Sequence, residues 1–299
     1  FEMTPNEAFD RYEEIRNRLP SAPPGGQSQH IAGLHELADQ IDVFVFDAFG
    51  VLNVGERPIA GAHDRVQQLR DMGKQVLVLT NAASFTRTQT RAKFARLGFT
   101  FAPDEIISSR DVCELHLNKV NRSGKWGVIA PSDFTQDDLL VDSLALQNDL
   151  RAYDSVQAFL MLSAANWNAN KQALLHDSLR RNPRPLVVAN PDLVAPREDG
   201  LSLAPVYFAP DLQDRLGVKV IFPGKPVAAV YDAVERRLPT VNRTRIAMVG
   251  DTLHTDVLGA RAHGWRAVLI TDHGLFANHD VQNFIDISGI APDWIAPSI

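Results

Sequence analysis

The chain has 299 residues, 45% apolar and 22% charged, a globular composition that excludes disorder, collagen and a coiled coil as readings of the whole. At about 150 residues per domain, two domains are expected. Thirty Lys plus Arg against 36 Asp plus Glu leave a formal net charge of −6, which argues against nucleic acid as the main partner but leaves room for a small anionic substrate, since a local field can oppose the global sign.

The one cysteine, Cys113, excludes an internal disulfide and a Cys-rich metal cluster, and fits a reducing compartment. No apolar run is long enough for a bilayer helix. The first residues lack the basic flank and apolar core of a signal peptide, so a cytoplasmic protein without a membrane partner is expected. Phe1 and Glu2, which precede Met3, are left out of the functional reading.

Thr4-Pro5-Asn6-Glu7 reads as a helix start, with Thr4 as cap, Pro5 in the first turn and Glu7 three residues on. Phe9, Tyr12, Ile15 and Leu19 continue an apolar stripe up to Pro20, followed by a turn-rich linker over 21–28. The expectation is an extra helix packed on the main body. Val43–Phe46 and Gln75–Leu79 are continuous apolar runs of the kind that form strands buried on both faces. Helical periods follow each, over Ala62–Met72 and Arg87–Leu97, and end at Gly73 and Gly98. In the middle, Trp126–Ala130, Ala158–Leu162 and Leu186–Val188 read as strands, and Leu140–Ala145 and Asn170–Arg180 as helices between them. Ile246–Val249 and Ala267–Ile270 are further strands, with a helix from Asp256 to Ala262 between them. This alternation predicts a parallel α/β sheet.

Ligands of open α/β sheets bind outside the carboxyl ends of the strands. After Val43–Phe46 comes Asp47-Ala48-Phe49-Gly50; after Val76–Leu79 comes Thr80-Asn81; after Ile246–Val249 comes Gly250-Asp251-Thr252-Leu253-His254-Thr255-Asp256. Carboxylates from two strand ends suit a hard divalent cation with a phosphate completing its shell. Gly224-Lys225-Pro226 offers a lysine to balance the charge. Singly, each of these residues also fits a turn or cap role; the ordered set is the stronger signal.

That set resembles the haloacid dehalogenase superfamily, from about Ile41 to the C-terminus. It looks closest to the NagD-like, p-nitrophenylphosphatase-like branch (subfamily IIA). Leu79–Ser84, Lys93–Phe99, Pro103–Ser109, Ala189-Asn190-Pro191-Asp192 and Pro196–Gly200 carry that closer likeness. The resemblance implies a Rossmann-like core over 30–123 and 223–299, an inserted α/β type-2 cap over 124–222, and residues 1–29 as an N-terminal helix and linker. It implies a magnesium-dependent phosphatase acting on a small phosphorylated metabolite, a sugar or aryl phosphate for example, with a homodimer as one oligomeric outcome. Asp47 would be the nucleophile. Asp47, the Phe49 backbone carbonyl, Asp251 and Asp256 would serve Mg2+. Thr80, the Asn81 backbone and Lys225 would hold the phosphoryl group, and Asn190 and Asp192 would shape the cap face above it.

Phe49 departs from the family. Its phosphatases carry a second Asp two residues after the nucleophile, which protonates the leaving oxygen and later activates water. Phenylalanine does neither, and such help is worth typically 10²–10⁴-fold, or about 3–5 kcal/mol. Three readings remain open: a specialised phosphatase that borrows a proton donor, with His254 a candidate; a non-catalytic or regulatory binder of phosphate ligands; and a dehalogenase-type hydrolase, whose halide leaves without a proton. Trp167 is the one tryptophan singled out for substrate contact.

Overall fold

The structure is a computed structural model that describes residues 3–240 and 242–299. Its main sheet has seven strands in the order Gln29–His30, Trp294–Ala296, Arg266–Ile270, Ile246–Gly250, Val43–Phe46, Gln75–Thr80 and Ile106–Ser108. Every pairing is parallel. The apolar runs form strands because both faces are covered. Val43, Val45, Leu77 and Leu79 enter one core cluster, while Phe44, Phe46, Val76 and Val78 enter another. From Val43–Phe46 the chain moves outward through Gln75–Thr80 to Ile106–Ser108, then returns to pair Ile246–Gly250 with the other edge of Val43–Phe46. That reversal is the topological switch point, where an open α/β sheet forms its ligand crevice.

A second, five-stranded parallel sheet runs Val220–Ile221, Leu186–Val188, Ala158–Met161, Trp126–Ile129 and Ser143–Ala145. Two hairpins complete the strands, Asn53–Val54 with Arg57–Pro58 and Val194–Arg197 with Gly200–Leu203. Among the described residues no helix is long and apolar enough to cross a membrane.

Two expected elements differ. Leu140–Ala145 is not a helix. Leu140 is fully exposed, and Ser143–Ala145 is an edge strand, with Trp126 opposite Ser143. Donation from Trp126 N to Asp142 O and from Leu146 N to Val128 O gives this backbone its partners, and sheet pairing outweighs the weak helical period. The helix expected from Asp256 starts earlier, as a π turn over Leu253–Val257 that runs into Leu258–Ala262.

The N-terminal helix spans Pro5–Glu14 with the expected Thr4–Glu7 capping box, then tightens into a 3-10 turn at Arg16–Arg18. Its apolar face, with Ala8, Phe9 and Tyr12 buried, joins both halves of the molecule. The Tyr12 ring stacks on His254 at 4.9 Å, and its hydroxyl accepts from Leu193 N at 3.0 Å. Arg18 pairs with Asp214. Tyr12→Phe leaves the buried Leu193 N–H without a partner, which costs about 1–3 kcal/mol. The urea midpoint is expected to fall by that amount with an unchanged slope.

Candidate active site

The two strands at the switch point end in carboxylates. Asp47 follows Phe46, and Asp251 follows Gly250 on the neighbouring strand. Ligand oxygens of Asp47, Asp251 and Asp256 lie within 4.8 Å of one another. Lys225, only 1% exposed, reaches into the group: its Nζ is 2.8 Å from Asp47 Oδ1 and 2.7 Å from Asp256 Oδ1, and donates to Leu79 O at 3.1 Å.

Each carboxylate is fixed differently. Asp47 Oδ1 also accepts from Ala48 N at 2.8 Å, while Oδ2 accepts no hydrogen bond among the described residues. Asp251 accepts from Thr252 Oγ1 at 2.9 Å and Leu275 N at 2.8 Å. Asp256 has both oxygens engaged, Oδ1 by Lys225 and Oδ2 by the backbone N–H groups of Asp251 and Thr252. It therefore positions the lysine and the Gly250–Thr252 turn. The backbone approaches these groups closely. Gly50 has φ +77, and a Cβ there would lie 2.6 Å from Asp251 Oδ2; one on Gly274 would lie 2.2 Å from the same oxygen. Glycine is required at both positions.

The charge balance favours a cation. Burial, reinforced by Asp256, pushes Asp47 well above the usual carboxylate range, and burial with Asp256 pushes Asp251 up to about 7. Burial works against the Lys225 charge, yet Asp256 and Asp47 hold it well above the ordinary lysine range. Three carboxylates around one ammonium leave a net negative, oxygen-rich centre, and this donor set fits a hard divalent ion such as Mg2+.

Thr80 lines the same cavity, and its Oγ1 accepts from Ala82 N at 3.1 Å. The Asn81 side chain is committed elsewhere. Its Oδ1 accepts from Lys225 N at 2.8 Å, and its Nδ2 donates to Lys225 O at 3.1 Å and to Asp192 Oδ1 at 2.9 Å. Asn190 Oδ1 accepts from Asp192 N at 2.9 Å and so shapes the turn that presents Asp192. The cavity is walled by Asp47, Phe49, Thr80, Asp192, Pro196 and Asp251 among others, and holds only about 10 Å³ of free volume, room for one water. Val194, Ala195 and Pro196 of the Val194–Leu203 hairpin form part of its wall.

Two family models, described as haloacid dehalogenase-like hydrolase and HAD-hydrolase-like, match residues 44–138 and 222–299. The chain belongs to the haloacid dehalogenase-like hydrolases. Among its relatives, chronophin of Rattus norvegicus is 28% identical over 261 residues, 85% of this chain and 84% of the relative. Phosphoglycolate phosphatase 1A, chloroplastic, of Arabidopsis thaliana is 24% identical over 275 residues, 83% of this chain and 73% of the relative. The p-nitrophenyl phosphatase of Archaeoglobus fulgidus shares the fold at a TM-score of 0.70 and 20% identity, over 87% of this chain and 97% of that one. A glycerol phosphate phosphatase of Mycobacterium tuberculosis, solved with calcium, shares it at 0.67 and 20%, over 87% and 74%.

Against the pattern of these hydrolases, Phe49 has a packing role. Lys93 Nζ lies 4.4 Å from its ring centre and the Arg197 guanidinium 4.8 Å from it. The ring thus joins the Arg87–Arg96 helix to the Val194–Leu203 hairpin through cation–π contacts. Two expectations are corrected. His254 is not a proton donor to this cavity: it is fully buried against Phe9 and Tyr12, its Nε2 is 2.5 Å from Glu13 Oε1, and burial lowers it to about 4. Trp167 does not line the cavity; its Nε1 donates to Gln172 Oε1 at 2.7 Å. Sequence reading missed the bridge from Asn81 to Asp192, the Tyr12 contact beneath Leu193, and the Lys93 and Arg197 contacts to Phe49. No local signal marks them, since each joins segments far apart in the chain.

Proposed function

We propose that this chain is a magnesium-dependent phosphatase that hydrolyses a phosphate monoester of a small metabolite through an aspartyl-phosphate on Asp47. One observation carries the reading: the buried Lys225 ammonium touches both Asp47 and Asp256 beneath a cavity at the sheet switch point. A lysine there opposes the charge of an incoming phosphate and favours the ionised form of Asp47 that attacks. Asp47, the Phe49 carbonyl and Asp251 would hold Mg2+, and Asp256 would orient the turn that presents Asp251. When bound, the ion screens the nucleophile from the phosphate and neutralises developing charge. Thr80 O–H and the Asn81 backbone would hold the phosphoryl oxygens. The relatives named phosphatases, phosphoglycolate phosphatase 1A and a glycerol-3-phosphate phosphatase among them, support the reaction class.

Phe49 favours a second reading, a regulatory protein that binds a phosphate ligand without turning it over, because its ring offers no proton. The deciding assay measures phosphate release from a panel of alkyl, aryl and acyl phosphates with Mg2+ and with EDTA. Release that EDTA abolishes is expected. Binding of Mg2+ and inorganic phosphate without release from any ester would establish the second reading instead.

A further inference from the structure

We propose that Asp192 is a catalytic residue of this site: its carboxyl group gives the proton to the leaving oxygen and takes one from the attacking water. The inference rests on the phosphatase reading above. Phe49 removes the side chain that does this work elsewhere in the family, and the structure brings a further carboxyl group, Asp192, to the lining of the same cavity as Asp47 and Asp251.

Asp192 is held for that task from three sides. Asn81 Nδ2 binds Oδ1 at 2.9 Å, the Asn190 side chain accepts from its backbone N–H at 2.9 Å, and the next residue, Leu193, donates its N–H to Tyr12 Oη at 3.0 Å. Oδ2 has no protein partner among the described residues, although Asp192 lines the cavity beside Asp47 and Thr80. The charged groups that act on it are Lys225, which favours its anion, and Asp256, which opposes it. Burial is the largest effect and lifts Asp192 up to about 6. A carboxyl group in that range exchanges a proton readily near neutral pH. Asp47, Asp251 and Asp256 cannot serve, because attack, metal binding and the hold on Lys225 require them ionised.

The chemistry balances with water alone. Asp47 Oδ2 forms a bond to phosphorus as the bond from phosphorus to the ester oxygen breaks. That oxygen keeps the electron pair and takes the proton of Asp192, leaving as an alcohol. Water then attacks phosphorus and loses a proton to the Asp192 carboxylate, and the bond between phosphorus and Asp47 breaks. Inorganic phosphate departs, with Asp47 ionised and Asp192 protonated as at the start.

Asp192→Asn is the informative variant, because an amide oxygen still accepts from Asn81 and keeps the turn fastened. On an alkyl ester such as glycerol phosphate, turnover is expected to fall about 10²–10⁴-fold. On p-nitrophenyl phosphate, whose leaving group departs without a proton, the variant is expected to release a rapid burst of one p-nitrophenolate per protein and then turn over slowly. Adding Phe49→Asp to this variant is expected to restore turnover of the alkyl ester at least tenfold, and a merely structural loss would not respond. An equal fall of the burst and of alkyl turnover, or no fall in either, overturns the role of Asp192 while leaving the phosphatase reading intact. A wild-type chain that releases phosphate from neither ester overturns both.

Discussion

Asp47→Asn is expected to lower phosphate release by about 10⁴-fold or more, the scale seen when a covalent nucleophile is removed. The amide is nearly the same shape as the carboxylate, so Ala48 N keeps an acceptor and the cavity keeps its walls. What disappears is the free oxygen lone pair of Oδ2 that would bond to phosphorus. The fold is expected to persist. Burial and Asp256 both disfavour a charge at this position, so the metal-free variant is expected to melt at or above the wild-type temperature. Calorimetry with EDTA alongside a phosphate-release assay checks both statements. Unchanged release removes Asp47 as nucleophile; lost release with an unfolded chain leaves the loss to folding.

Lys225→Met combines the largest expected loss of stability with loss of activity. The side chain is 1% exposed and its Nζ lies within 2.8 Å of Asp47 and 2.7 Å of Asp256. Methionine fills much the same volume but leaves two buried carboxylates without their cation, which costs about 3–5 kcal/mol when one partner of a buried pair is removed. The sign of the pH dependence separates charge from packing. Without the ammonium, the folded-state pKa of Asp47, already held above the unfolded value by burial and Asp256, rises further. The penalty is then present above the unfolded pKa of about 4 and shrinks as Asp47 protonates on acidification. Urea unfolding of the metal-free protein is therefore expected to show a deficit at pH 7 that narrows toward pH 4. A deficit independent of pH would assign it to packing. Phosphate release is expected to vanish at every pH, since neither the phosphoryl group nor Asp47 retains its counter-charge.

The Phe49 contacts alter the meaning of its missing carboxyl group. The ring joins the Arg87–Arg96 helix to the hairpin that lines the cavity, and the proton that Phe49 cannot supply is assigned to Asp192. The site as a whole holds four carboxyl groups, Asp47, Asp192, Asp251 and Asp256, and one buried ammonium, Lys225. Such an excess requires a divalent ion, a retained proton or both. The proposed chemistry uses both.

Much of this was written in local sequence. The runs Val43–Phe46, Gln75–Thr80 and Ile246–Gly250 become strands because only a strand covered on both faces buries such continuous apolar stretches, and Asp47 and Asp251 stand at their carboxyl ends for the same reason. The Thr4 cap of the N-terminal helix is equally local. The rest depends on which distant segments meet. Whether Ser143–Ala145 becomes a strand depends on Trp126–Ile129 offering an edge. Whether His254 points at substrate or at Tyr12 depends on where the N-terminal helix docks. Whether Asp192 is a turn residue or the fourth carboxyl group of the site depends on Asn81, 111 positions away. Periodicity and capping act within a few residues, so the sequence by itself determined the sheet and the carboxylates at its ends. Burial, hydrogen-bond partners and proton affinity depend on neighbours that only packing supplies, and the tertiary structure alone decided which partners each of those carboxylates meets.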